Sequence, residues 1–242
     1  MTTANTPRAR YREQTRAEIK EVALRRLAEG GPEAVALTRI AKELGVSGPA
    51  LYRYFDGRDA LLSDLIRDAY DAFAEAVTAA EATAARAGDG PRARLRACGD
   101  AYRAWALAQP HRYQLIQGTP VPGYAAPADT RDRARAGMLP LLAVFGAADP
   151  AVPPDDRVLP LVAEMTAWVG NDAAVAEWVA RAGLGADGRA GRALAGATLT
   201  WSAVHGTVSL EVSGHFSGMG HRPGTMLAAQ LTELADTFRL PD

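Results

Sequence analysis

Residues 37–56, LTRIAKELGVSGPALYRYFD, admit few folds. Ile40, Ala41 and Leu44 make an apolar stripe at helical spacing, and Leu51, Tyr54 and Phe55 make a second, with Gly45-Val46-Ser47 between them. The stretch predicts two short helices joined by a tight turn. Gly45 can take the positive φ such a turn needs, Val46 is placed as an apolar plug, and Ala41 is small enough for the helices to cross over it. Ser47 is a good N-cap for the second helix, Pro49 is tolerated in its first turn, and Thr38 is expected to cap the first helix. The second helix leaves Gly48, Pro49, Ala50, Tyr52 and Arg53 facing outward. A surface that is small at its tip and ends in a phenol and a guanidinium fits the major groove of DNA.

Charge agrees with that fit in its distribution rather than its total. The net charge is −1, yet residues 1–58 carry 11 Lys and Arg against 7 Asp and Glu, and the remainder carries 16 against 21. A basic end on an acidic body suits a chain that meets phosphate at one end only, although uneven surface charge alone explains the same numbers. Arg8, Arg10, Arg12 and Arg16 form a basic arm just before the two-helix stretch. Cys98 is the sole cysteine, so no disulfide forms within the chain and a reducing compartment is the expected home. The N-terminal segment lacks an apolar core of a secretory signal, and no run of about twenty apolar residues spans a bilayer. The expected location is the cytoplasm, at the nucleoid.

Read in order, residues 13–29 predict a helix with Ile19, Val22, Ala23 and Leu27 on one face, stopped by Gly30-Gly31-Pro32. A long helix starts near Ala60, with Asp59 as its cap, and runs past Phe73 and Val77. RAGDGPR at 86–92 breaks the chain, and a helix carrying Leu95 to Leu107 ends near Pro110. A short helical piece follows, then a Pro- and Gly-rich loop at 117–130. One helix is expected over 131–146, bent at Pro140, one from Val158 that continues through Val179 or gives way to another, and two last ones over 188–213 and 223–239. No alternating strand pattern occurs, so the fold class is all-α. The natural division is a small module at 13–73 and a larger domain at 86–242.

Residues 13–73 resemble the N-terminal domain of the TetR family of bacterial transcriptional regulators. The resemblance is carried by Thr38, Ile40 and Ala41 as T-x-I-A, by Gly45-Val46-Ser47, by Ala50 to Phe55 as A-L-Y-R-Y-F, and by Arg58, Leu61 and Leu62 as R-x-x-L-L. The family more often has Lys where Arg58 stands, and either holds a phosphate. Trp201, His205 and Gly206 resemble the W-x-x-x-H-G signature of one C-terminal subclass. The resemblance implies a homodimeric repressor on a palindromic duplex-DNA operator, released when a small-molecule effector enters the C-terminal domain, with no cofactor and no metal. Its DNA-facing set is Thr38, Ser47, Gly48, Pro49, Ala50, Tyr52, Arg53, Tyr54 and Arg58. Thr38 would take a phosphate through its hydroxyl and helix N-terminus, Gly48 to Ala50 would lie against base edges, and Tyr52 would meet phosphate or a thymine. Arg53 is the candidate for a bidentate bond to guanine, and Tyr54 and Arg58 would clamp the backbone. Tyr54 also fits a core position, and Arg53 a solvated one.

The last two helices are the expected dimer interface, through Leu194, Leu199, Trp201, Val204, Val208 and Val212, with Gly191, Ala195, Gly196, Ala197, Ala203 and Gly206 letting helices approach closely. Burial of the same helix inside one chain fits the pattern too. Tyr102, Trp105, Tyr113, Met138, Phe145, Met165, Trp168 and Trp178 are the expected lining of an apolar effector pocket, with His205 as a possible donor to the ligand. Such residues also line ordinary cores, which is the more common outcome for any one of them. Enzyme readings find little footing. Gly183 to Gly188 match G-x-G-x-x-G without a preceding strand, and His215 and His221 lack companion ligands. The alternative is an all-α small-molecule-binding protein or a lipid- or terpenoid-handling enzyme, for which Asp155-Asp156 would have to serve as the carboxylates.

Overall fold

The computed structural model of this 242-residue chain describes residues 6–118, 123–185 and 188–242. Residues 1–5, 119–122 and 186–187 lie outside the description, and with them parts of the 117–130 loop and of the glycine motif at 183–188. Among the described residues the chain is all-α. Its helices are α1 (Pro7–Gly30), α2 (Leu37–Glu43), α3 (Gly48–Tyr52), α4 (Arg58–Arg86), α5 (Pro91–Ala108), α6 (Pro110–Gln117), α7 (Thr130–Ala136), α8 (Leu139–Gly146), α9 (Leu159–Asn171), α10 (Ala173–Ala180), α11 (Gly188–Val212) and α12 (Pro223–Thr237).

Contacts divide these elements into two compact units. The first holds the chain up to Ala69 together with Pro110–Thr130; the second holds Tyr70–Gln109 and Arg131–Asp242. The division falls inside α4, and the segment after Pro110, assigned from sequence to the larger domain, joins the small unit. In that unit Ile19, Val22, Ala23 and Leu27 of α1 meet Ile40 and Ala41 of α2, Leu51, Phe55, and Leu61, Leu62 and Leu65 of α4 in one core. Leu115 of α6 and Tyr124 pack against it. Tyr124 is fixed by a 2.9 Å bond between its hydroxyl and that of Ser63, and Arg67 grips Asp129 through two bonds of 2.9 and 3.1 Å. The second unit is built on α11, which crosses α8 and α9 at glycines. A Cβ on Gly191 would lie 1.9 Å from the Thr166 hydroxyl oxygen, and one on Gly196 within 2.6 Å of the Phe145 ring.

Several boundaries differ from expectation for local reasons. The first helix begins six residues earlier than predicted, at Pro7, because Thr6 caps it: the Thr6 hydroxyl accepts from the Ala9 N–H at 3.3 Å. Thr38 is not a cap. Ala36 holds that position without a side-chain bond, and Thr38 sits one residue inside α2. The predicted 131–146 helix is two helices, since Pro140 starts α8 rather than bending a longer one. The stretch from 159 to 180, for which the sequence allows one helix or two, is two, split by Asp172, whose carboxylate accepts from Ala174 and Val175 at 2.9 and 3.2 Å. Among the described residues no helix is long and apolar enough to cross a membrane.

Candidate nucleic-acid interface and effector cavity

The turn between α2 and α3 is closed by the backbone. Gly45 has φ +68°, its N–H donates to the Lys42 carbonyl at 3.3 Å, and the Val46 N–H donates to the Ala41 carbonyl at 3.0 Å. This pair of bonds is the Schellman ending of a helix, which needs a residue in the left-handed region. Val46 is therefore placed by its backbone, and its side chain is 41% exposed instead of plugging the helices apart. Ser47 stands at the N-cap of α3 with extended φ and ψ, but its hydroxyl makes no capping bond.

Tyr52 is 50% exposed, Pro49 and Arg53 are exposed, and Gly48 and Ala50 are half-buried. Arg53 occupies the C-cap of the five-residue α3. Tyr54 lies beyond the helix and packs on the small unit's core, where its carbonyl accepts from Arg16 at 2.8 Å. Arg58 is engaged with Glu33 at 3.3 Å, so phosphate contact there means exchanging one anion for another.

Ion pairs sort the basic residues of this unit. Arg16 pairs with Asp64, Lys20 with Asp68 at 2.8 Å, and Arg25 and Arg26 both with Glu43 at 2.9 and 2.7 Å. The Arg25 hydrogen bond, followed by the one from Arg26, holds the Glu43 carboxyl below its usual range, tying the end of α2 to α1. Arg39, Lys42 and Arg53 are exposed and have no ion-pair partner among the described residues. Thr38, Arg39 and Lys42 share the exposed face of α2, three and four residues apart. Arg39 and Lys42 were not singled out from sequence; their spacing from Thr38 was the available signal.

In the second unit a narrow, partly open apolar cavity of about 10 Å³ is lined by Phe73, Val77, Cys98, Gly99, Tyr102, Gly137, Met138, Leu141, Thr200, Trp201 and Val204. Of the aromatic and apolar candidates it gathers Tyr102 and Met138. Trp105 lies behind it, its ring 5.4 Å from that of Phe73. Tyr113 belongs to α6 and the other unit. Phe145 packs on Phe238 at 5.0 Å, and Trp178 donates to the Arg135 carbonyl at 3.2 Å, so both are core. Met165 is half-buried and Trp168 exposed. His205 stacks on Trp201 at 5.6 Å, and burial lowers its pKa. The cavity's small members escaped sequence reasoning because their role is to be small: a Cβ on Gly137 would stand 2.4 Å from the Phe73 ring. Thr200 is fully buried, and its hydroxyl oxygen has no hydrogen-bond partner among the described residues.

Burial pushes the Cys98 thiol up to about 12, with Glu81 adding to the shift. Only the thiolate is a good nucleophile, and at pH 8 roughly one thiol in ten thousand is ionised at any moment, so alkylation is slow. Iodoacetamide is expected to leave Cys98 unmodified in the folded protein and to label it fully in denaturant. Stoichiometric labelling of folded protein within minutes, read by intact mass, would show that the cavity opens freely.

Leu194, Val204 and Val208 do not present the outward face that the interface expectation gave them. Leu194, Val204 and Val208 are buried within their own chain, and Gly191 and Gly196 serve crossings inside it. Leu199 and Val212 are half-buried, and Trp201 is exposed while also bordering the cavity. Asp155 caps a short turn at 156–158 and binds Arg157 at 2.9 Å; that bond keeps its carboxyl ionised below the usual range. It is a structural carboxylate.

A helix-turn-helix unit with an exposed basic face, joined in one chain with a helical unit holding an apolar cavity, defines a regulator-like architecture. Residues 19–65 match the model described as bacterial regulatory proteins, tetR family, and residues 95–234 match the one described as tetracyclin repressor-like, C-terminal domain. The chain belongs to the TetR family, a family of regulators rather than enzymes. The HTH-type transcriptional regulators Rv1816 of Mycobacterium tuberculosis and Mb1846 of Mycobacterium bovis are each 40% identical to it over 118 residues, 49% of this chain and 50% of theirs. The chain thus spans about half the length of the curated relatives it matches. A solved structure named for the regulatory protein SCO4313 is 40% identical with a TM-score of 0.74, covering 95% of this chain and 98% of that one. The fatty acid degradation regulator FadR of Bacillus halodurans, at 12% identity, 93% and 97% coverage and a TM-score of 0.53, shares the fold.

Proposed function

We propose that the protein is a homodimeric, sequence-specific DNA-binding regulator that holds a palindromic operator and releases it to a small, uncharged, largely apolar effector. The observation that carries this reading is the α2–α3 surface: Tyr52 and Arg53 exposed at the end of a helix whose tip is Gly48, Pro49 and Ala50, flanked by Arg39 and Lys42, cations with no ion-pair partner among the described residues. Arg53 reads a base edge; Thr38, Arg39, Lys42 and Tyr52 hold the backbone. The effector reading is supported by the cavity lining, which offers no charged side chain. Thr200 offers it one unpartnered hydroxyl, a buried group whose isolation costs about 1–3 kcal/mol. A ligand with one hydrogen-bonding group among apolar atoms would satisfy it, pushing the narrow lining apart.

The dimer reading is supported by the outward face of α11. Ser202, Gly206 and Leu210 are exposed at four-residue spacing, and a Cβ at Gly206 would meet nothing within 4 Å. Glycine inside a helix costs roughly 0.5–1 kcal/mol relative to alanine, and nothing in its own chain requires it there. Close approach of the same face from a second copy accounts for it. Genomic fragments selected by the wild type are expected to share a palindrome with half-sites about one DNA turn apart or a modest multiple. Gly206→Arg is expected to fold, run as a monomer in light scattering, and lose palindrome preference. Selected fragments without two-fold symmetry would overturn the operator reading, and an undiminished dimer of Gly206→Arg would move the interface elsewhere.

A further inference from the structure

The opening two turns of α1 contribute nothing to the core. Ile19 is the first buried residue of that helix, and Pro7 to Gln14 are all exposed. The family match begins at residue 19, so this extension lies outside it. At about 100° per residue, Arg8, Tyr11, Arg12 and Thr15 fall on the face of α1 that carries Arg16, Ile19, Val22 and Ala23. Arg10 falls on the opposite face. The side of the helix that is core from Ile19 onward is therefore basic and aromatic where the core ends. That side is aligned with the reading segment. Arg16 donates to the Tyr54 carbonyl at 2.8 Å, and its guanidinium lies 4.4 Å from the centre of the Phe55 ring, directly after Tyr52 and Arg53. Arg16, Lys20, Arg25 and Arg26 all have carboxylate partners. The side chains of Arg8, Arg10 and Arg12 have none among the described residues.

We propose that the Arg8–Tyr11–Arg12 face of α1 is a second DNA contact, laid along the phosphates that flank the bases read by α3. It rests on the operator reading above and extends it. Nine residues separate Pro7 from Arg16, a rise of about 14 Å, which matches roughly four base pairs along the duplex axis at about 3.4 Å each. Duplex DNA is the occupant because the cations continue the reading face and need a regularly repeated anion. Tyr11 adds a phenol that can donate to phosphate or sugar.

The test is operator binding by fluorescence anisotropy across roughly 50 to 200 mM salt, where each phosphate contact contributes about −0.9 to the slope of log affinity against log salt. The proteins compared are the wild type, the double variant R8A/R12A, and R10A. The double variant is expected to show a slope shallower by about two per bound protomer with base preference intact, while R10A behaves as the wild type. Removing about four base pairs from each outer flank should make the wild type as shallow as the double variant. A wild-type slope in R8A/R12A, an equal loss in R10A, or a loss indifferent to the flanks would each overturn the arm contact. A wild type that prefers its operator while the double variant keeps its slope sinks the arm alone; a wild type with no operator preference sinks the operator reading and the arm with it.

Discussion

Replacing Arg192 by leucine is expected to lower the stability of the second unit by about 3 kcal/mol, the order set by losing hydrogen bonds from a charged donor and stranding their acceptors. Arg192 is 7% exposed, on the inner side of α11. One terminal nitrogen donates to the carbonyls of Asp149 and Val152 at 2.9 and 2.8 Å, and the other donates to the carbonyl of Phe238. A single guanidinium thus fastens the loop after α8 and the end of α12 to the central helix. Burial pulls its pKa below the usual guanidinium range, yet a guanidinium stays charged at any working pH. Leucine matches the stem and recovers the cost of burying the charge, but it leaves the carbonyls without a donor. Lysine keeps the charge and can reach fewer of them at once, so Arg192→Lys should fall between. For a protein of this size the leucine variant should melt about 6–12 °C lower. A calorimetric midpoint within a degree of the wild type would mean the carbonyls find other donors and that Arg192 is not the fastener.

The same residue shows where sequence reasoning stops. Arg192 sits in a stretch whose small and apolar pattern announced a long helix, and that helix is present. Nothing local says which residues Arg192 reaches, because its acceptors are backbone atoms about 40 to 46 positions away in sequence. The two-helix reading motif was legible for the opposite reason: Gly45, Ser47 and Pro49 act on their own neighbours through φ, capping position and a missing N–H. Thr38 failed as a cap because Ala36, with no side-chain signal, took the position. The interface expectation on α11 failed in part because apolar periodicity states that a face is buried and not by what. Leu194, Val204 and Val208 are covered by their own chain, while Gly206 is exposed and a Cβ placed on it would meet nothing within 4 Å. The cavity was least legible, since Gly99, Gly137 and Thr200 define it by what they lack or leave unbonded.

The loss of operator discrimination in Arg53→Ala is expected to be the largest functional effect of any single side chain on the reading surface. Arg53 is exposed at the C-cap of α3, and its backbone N–H bonds to the Ala50 carbonyl at 3.3 Å whatever its side chain is. Truncation should therefore leave stability within about 0.5 kcal/mol of the wild type. A bidentate arginine–guanine pair is worth about 1–3 kcal/mol of discrimination, so two half-sites lose roughly 2–6 kcal/mol, at least about thirty-fold in affinity. Arg53→Lys separates the two ways the guanidinium can act. A lysine keeps a phosphate contact as a point charge but cannot reproduce the fork against a base. A base reader therefore loses specificity in both variants while the salt slope stays close to that of the wild type. A phosphate contact behaves otherwise: Arg53→Lys keeps affinity, and Arg53→Ala weakens operator and random duplex alike, with a slope shallower by about 0.9 per site. Arg39→Ala and Lys42→Ala are the internal standards for that second pattern, since both sit on the exposed face of α2 beside Thr38. If Arg53→Ala follows them, reading of the operator falls to Gly48–Ala50 and Tyr52, whose contacts are apolar and shape-dependent, and the operator should then tolerate G·C changes that a forked arginine would reject.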